Sequence, residues 1–241
     1  MVQLNQRDAD VLAYLAEVGQ APLDVVAKRF FAADPRTGKA NKDPMHAATR
    51  RVAALRAAGY IDQVNMSASS RKEPAGSILM LDRAGASLLG VTPKKVHAKH
   101  RHHHFQTLRL VEEVRTELVA RGQKVLRVVL EDELRAEILS RRERAYLSRE
   151  MKRGDGVNLN DERYAMPDAV VVVDDGAGGE AFVAVEYLSA TYRDDDLKAK
   201  KELLSSSRWR SSVVQADNHR TAARARAVGL ESGVLGKTAL E

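Results

Sequence analysis

Two acidic residues stand where a short hairpin would bring them together. Pro167-Asp168 opens the apolar run Asp168–Val173, a Gly-rich turn follows at Asp175–Gly179, and the run Ala181–Glu186 returns with an acid at its end. Short apolar runs around such a turn predict an antiparallel hairpin, which sets Asp168 and Glu186 at neighbouring strand positions. Paired carboxylates of this kind can hold magnesium or manganese, because hard divalent ions take oxygen ligands. Such an ion activates water and stabilises the charge that develops at a phosphodiester. The plainer reading makes Asp168 a strand-entry residue and Glu186 a solvated strand end.

The elements around this pair follow from hydrophobic period. A long helix over about His103–Arg121 carries Leu108, Val111, Val114 and Leu118 on one side, a strand is predicted at Lys124–Leu130, and a helix from Glu133 to about Leu147. A polar loop, Ser148–Met166, containing Gly154-Asp155-Gly156, leads into the hairpin. A helix near Asp195–Ser206, a strand at Ser212–Gln215 and a helix near Asn218–Val228 complete the order α-β-α-β-β-α-β-α. That order predicts a mixed α/β (α+β) domain over residues 103–241.

The first 90 residues read differently. A helix capped by Asn5 and stopped by Gly19 precedes a second over Pro22–Phe31 and a polar loop, Ala32–Lys42. Asp43 then caps a third helix, with Pro44 at its first position, running to about Ala58. Ala48, Val52 and Leu55, with Met45, form the third helix's apolar face; His46, Thr49, Arg50 and Arg56 form the other, and Arg51 lies at the edge. Two strands follow, at Tyr60–Val64 and Ser77–Leu81, around a basic polar tip. Residues 91–102 read as a basic linker containing Lys94, Lys95, Lys99 and Arg101.

Three helices and a hairpin, with the block ATRRVAALRAAGYID joining the third helix to the first strand, resemble the winged helix-turn-helix families. The resemblance implies a third helix that enters the major groove of double-stranded DNA. Lys42, His46, Thr49 and Arg50 suit base edges and phosphates, Arg71 and Lys72 suit a wing tip on the adjacent backbone, and Lys94, Lys95, Lys99 and Arg101 suit further phosphates.

The second half resembles the PD-(D/E)XK nuclease superfamily, whose pattern is Pro-Asp, a short loop, and an acid two residues before a lysine. Pro167, Asp168 and Glu186 match, and Leu188 stands where the lysine belongs. Leucine neither orients water nor stabilises charge, and the resemblance permits a substitute from the next helix, Lys198 or Lys200. Across most of its length the chain also resembles the replication-relaxation family, which includes MobC-like mobilisation relaxases. That resemblance implies origin DNA of a plasmid or conjugative element as substrate, nicked by this chain or with its help. Mobilisation or replication accessory proteins are its implied partners, and because winged helices commonly pair on palindromic sites a homodimer using the His103–Arg121 helix is expected. The competing expectation is a transcription regulator or partition-type factor whose second domain only dimerises or binds a partner.

Other residues invite sharper readings than they sustain. His102, His103 and His104 open a helical pattern, where neighbouring side chains diverge by about 100°, so they cannot converge on one metal ion; contact with phosphate or solvent is expected. Tyr187 and Tyr192 read as packing or sugar-contact residues rather than nucleophiles, and Trp209 as core rather than a base-stacking platform. The chain has no cysteine, which removes disulfides, thiolate zinc sites and cysteine nucleophiles, and no long apolar run, which makes a cytoplasmic protein the expectation. The net charge of +6 suits a polyanionic partner. Its distribution is uneven: five cations and no acid lie between Val91 and Leu110, whereas Asp161–Glu241 holds 11 basic against 14 acidic residues.

Overall fold

The structure, a computed structural model, describes residues 3–34, 37–66, 76–94, 96, 100–139 and 166–234. The chain is mixed α and β and divides into two compact units, Met1–Leu108 and Arg109–Glu241.

In the first unit, α1 (Gln6–Val18) begins where its caps predict. Asn5 accepts from the Asp8 amide while Asp8 accepts from the Asn5 amide, a reciprocal capping box. Gly19 ends the helix at φ +79°, a backbone region that costs glycine little. Next come β1 (Gln20–Pro22), α2 (Leu23–Phe31) and α3 (Pro44–Ala57), whose N-cap Asp43 accepts from the His46 amide at 2.8 Å. β2 (Ile61–Met66) and β3 (Gly76–Leu81) pair antiparallel from Ile61↔Leu81 to Met66↔Gly76, and β1 joins β3's other edge in the order β1-β3-β2. The core between helices and sheet holds Leu12, Leu15, Val26, Val52, Leu55, Ile61 and Leu79, each at most 2% exposed. α4 (Arg83–Leu89) closes the unit and approaches so tightly that a Cβ on Gly85 would lie 2.2 Å from the Tyr60 carbonyl oxygen.

The division between units falls inside α5 (Arg101–Ala120), which begins at Arg101 rather than His103. In the second unit, β4 (Val125–Leu130), β5 (Ala169–Asp174) and β6 (Glu180–Leu188) form an antiparallel meander. β7 (Ser211–Ala216) and β8 (Gly233–Val234) extend it in parallel, in the order β4-β5-β6-β7-β8. Helices cover both faces, which is why β5 is a continuous valine run rather than an alternating one. On one face Leu110, Val111, Val114 and Leu118 of α5 pack against Val171, Val185, Tyr187 and Val213. On the other, Val170, Val172, Ala184 and Leu188 meet α6 (Glu131–Ile138), α7 (Asp194–Leu204) and α8 (His219–Ala227) through Leu134, Leu197, Leu204, Ala222 and Ala225.

Several expectations need correction. Met45 is 43% exposed and lies off the buried face of α3, whose core contacts are Ala48, Val52 and Leu55. The helix expected to reach Leu147 ends at Ile138, because Leu139 turns to extended backbone at φ −90°, ψ 137°. Residues 140–165, which include the Gly154–Gly156 loop, lie outside the described set. The apolar side of α5 offered for dimerisation is already spent within its own unit, since Val111, Val114 and Leu118 are at most 4% exposed against the sheet.

Candidate functional site

The register of the central hairpin decides the meeting of the two acids. Ala169 pairs with Val185, so the next step along each strand puts Asp168 opposite Glu186. Their proximity is direct: the Asp168 amide donates to Glu186 Oε2 at 3.2 Å, and the Tyr187 amide donates to Asp168 Oδ2 at 2.8 Å. Both residues are buried, Asp168 at 8% exposure and Glu186 at 0%, which contradicts a solvated strand end for Glu186.

The two candidate lysines separate cleanly. Leu197 and Leu204 mark the buried face of α7, and Lys200, one turn beyond Leu197, shares it. Lys200 Nζ lies 2.7 Å from Glu186 Oε1 and donates to the Met166 carbonyl at 3.1 Å. Lys198 sits about 100° around the helix from Leu197, is 62% exposed and pairs with Asp195 at 3.3 Å, so it is not the lysine that meets Glu186. Leu188, at the position of the motif lysine, is fully buried among the apolar residues on the same sheet face.

Two further groups belong to this cluster. Tyr192 donates to Glu186 Oε1 at 3.4 Å from the loop between β6 and α7. The Glu131 amide donates to the Asp168 carbonyl at 3.0 Å, which extends the β4–β5 pairing by one step. The expected strand end at Leu130 facing the start of β5 was the signal that could have placed Glu131 beside Asp168. Burial disfavours the charged form of Lys200, but the carboxylates of Glu186 and Asp168 outweigh it and hold the ammonium above the ordinary lysine value. Burial, followed by the charges of Glu186, Asp168 and Glu131, drives the Tyr192 phenol far above the ordinary tyrosine value. Lys200 therefore stays cationic and Tyr192 stays protonated at neutral pH. The first suits charge stabilisation rather than base catalysis, and the second excludes a resting phenolate nucleophile.

As a test of metal fit, the donor chemistry is that of a hard cation: carboxylate oxygens from two adjacent strands, with an ammonium already seated against Glu186. Asp168 and Glu186 are the residues that would hold it. Among the described residues no group of three or more His, Asp or Glu side chains gathers as a metal-holding set.

The remaining aromatic residues take structural places. Tyr187 is fully buried, donates to Asp217 Oδ1 at 2.9 Å, and is held above the ordinary tyrosine value first by burial and then by Asp217. Trp209 is 7% exposed, lies in the core and donates to the Leu203 carbonyl at 3.0 Å.

In the first unit, His46, Thr49, Arg50, Ala53 and Arg56 form a continuous exposed stripe along α3, and Lys42 is exposed just ahead of it. Thr49 Oγ1 donates to the Met45 carbonyl at 2.8 Å, leaving its methyl group and oxygen lone pairs on the stripe. Arg51 is not part of it: it pairs with buried Asp8, Nε to Oδ1 at 2.7 Å, and donates to the Gln3 carbonyl, tying α3 to α1. Lys94 donates to the Glu17 carbonyl at 2.6 Å, and Arg101 opens α5. His104 Nε2 lies 3.0 Å from the Gln20 carbonyl oxygen. Arg71, Lys72, Lys95 and Lys99 lie outside the described residues.

No protein-family model matches the chain, and no curated protein or solved structure is significantly similar to it. No described helix is long and apolar enough to cross a membrane.

Proposed function

We propose that this chain is a site-specific double-stranded DNA-binding protein of a plasmid or conjugative element that nicks origin DNA. Its first unit acts as a winged helix, and its second as a PD-(D/E)XK-like nuclease domain. The observation that carries the reading is the Lys200–Glu186 contact at 2.7 Å. The sequence pattern lacks its lysine at position 188, and α7 supplies an ammonium to the same acid pair from another place in the chain. The α1-β1-α2-α3-β2-β3 order, with a polar and basic stripe on α3, supports major-groove reading by His46, Thr49 and Arg50 with Lys42 on phosphate.

In this reading Asp168 and Glu186 would hold magnesium or manganese, which would supply water activation and charge stabilisation at the phosphodiester. Lys200 stays protonated and offsets the negative charge that builds on the cleaved phosphate. The Tyr187 and Asp168 amides fix the two carboxylates in place. A homodimer on a palindromic site accompanies this reading, checked by the solution mass of the complex with DNA.

The test is nicking of a supercoiled plasmid carrying the DNA that flanks this chain's own gene, in magnesium or manganese. Nicking by the wild type, with at least a hundredfold loss in Asp168→Ala and in Glu186→Ala, is the expected result; retained cutting by both variants overturns it. A second reading, a non-catalytic regulator or partition-type factor, is favoured by the complete burial of Glu186, whose carboxylate oxygens engage Lys200, Tyr192 and the Asp168 amide. Tight sequence-specific binding with no metal effect and no nicking selects it.

A further inference from the structure

Resting on the reading of Asp168, Glu186 and Lys200 as a cleavage centre, we infer that Tyr192 is a positioning residue for that centre. Its phenol and Lys200 together pin one oxygen of Glu186, while the other accepts from the Asp168 backbone amide. Glu186 is fully buried, so water does not set its orientation; its protein donors do. Oε1 receives Lys200 Nζ at 2.7 Å and Tyr192 OH at 3.4 Å, whereas Oε2 receives the Asp168 amide at 3.2 Å. The two oxygens of the carboxylate thereby have different donors, an ammonium and a phenol on Oε1 and a backbone amide on Oε2.

Tyr192 is itself held for this task. Its amide donates to the Ser189 carbonyl at 3.2 Å, the Ser189 and Thr191 hydroxyls lie 2.6 Å apart, and its ring packs against the core beneath α7. The loop leaves the carboxyl end of β6, the strand that runs parallel to β7, where open α/β sheets place their ligands. The phenol hydroxyl is directed at Glu186 Oε1, to which it donates.

Tyr192→Phe keeps the ring and removes only the donor. In plasmid nicking it is expected to lower kcat about tenfold and to raise the magnesium concentration for half-maximal rate, with DNA affinity unchanged. Tyrosine labelled with carbon-13 at Cζ gives a readout that does not need turnover. The resonance missing from Tyr192→Phe should lie away from those of exposed tyrosines at neutral pH and move in Glu186→Gln. Wild-type kcat and metal dependence in Tyr192→Phe, or a Tyr192 resonance that ignores Glu186→Gln, overturns the inference while leaving the cleavage centre standing. A wild-type chain that does not nick removes the centre, and the positioning role with it, whatever the resonance does.

Discussion

Glu186 is a carboxylate with no exposure to water, and its survival in the ionised form depends on Lys200 at 2.7 Å. Taking away one member of a buried pair strands the other, which generally costs ~3 kcal/mol or more. Lys200→Met should therefore lower the unfolding free energy by ~3 kcal/mol in urea titration, whereas Lys198→Met, at a site 62% exposed, should change it by less than ~0.5 kcal/mol. The pH dependence has a definite sign. The folded state raises the Lys200 pKa, so its contribution is complete below about pH 10.4, the ordinary lysine value, and is lost as pH rises through the folded value. Wild type should lose its margin over Lys200→Met as pH rises through that alkaline window; a margin that persists unchanged through it would contradict the pairing. The acid pair was legible because Pro167-Asp168 and Glu186 bracket a Gly-rich turn. The choice between Lys198 and Lys200 was also within reach, since Leu197 marks the buried face and Lys200 lies three residues on. Tyr192 and the Met166 carbonyl were out of reach, because loop conformation and backbone acceptors leave no pattern in residue type.

Helix ends were readable because caps are local chemistry: Asn5, Gly19, Asp43 with Pro44, and Asn218 all stand where helices start or stop. The misses depended on partners distant in sequence. β1 is three residues long and contains Pro22; nothing local makes it a strand, and it exists through pairing with β3 from Gln20↔Met80 to Pro22↔Ile78. The early end of α6 likewise has no breaker residue at Leu139. The tight approach of α4 to the turn after α3 is another such non-local feature. Gly85→Ala would set a methyl group 2.2 Å from the Tyr60 carbonyl, a backbone atom that cannot swing aside. It should destabilise the first unit by ~2 kcal/mol, read by chemical denaturation, although alanine is the better helix former. A neutral or stabilising effect would mean that α4 does not pack there.

At the scale of the whole chain, the net charge of +6 is concentrated: five cations without an acid lie between Val91 and Leu110, while the last 81 residues hold more acids than bases. If the first unit reads DNA through α3, binding must weaken with salt in proportion to the phosphates neutralised. Arg50→Ala should then cost about tenfold in affinity for a duplex selected from a random pool and lower the slope of log affinity against log salt by about 1. It should leave the metal dependence of nicking unchanged, because Arg50 lies on α3 and the acids lie in the second unit. The central claim is that Lys200 replaces the lysine missing at position 188, and the most direct measurement compares single-turnover nicking of supercoiled origin plasmid by wild type, Lys198→Met and Lys200→Met in magnesium. The account predicts wild-type rates for Lys198→Met and a loss of about a hundredfold for Lys200→Met, with DNA binding intact in both; equal rates in all three proteins, or no nicking by any of them, would contradict it.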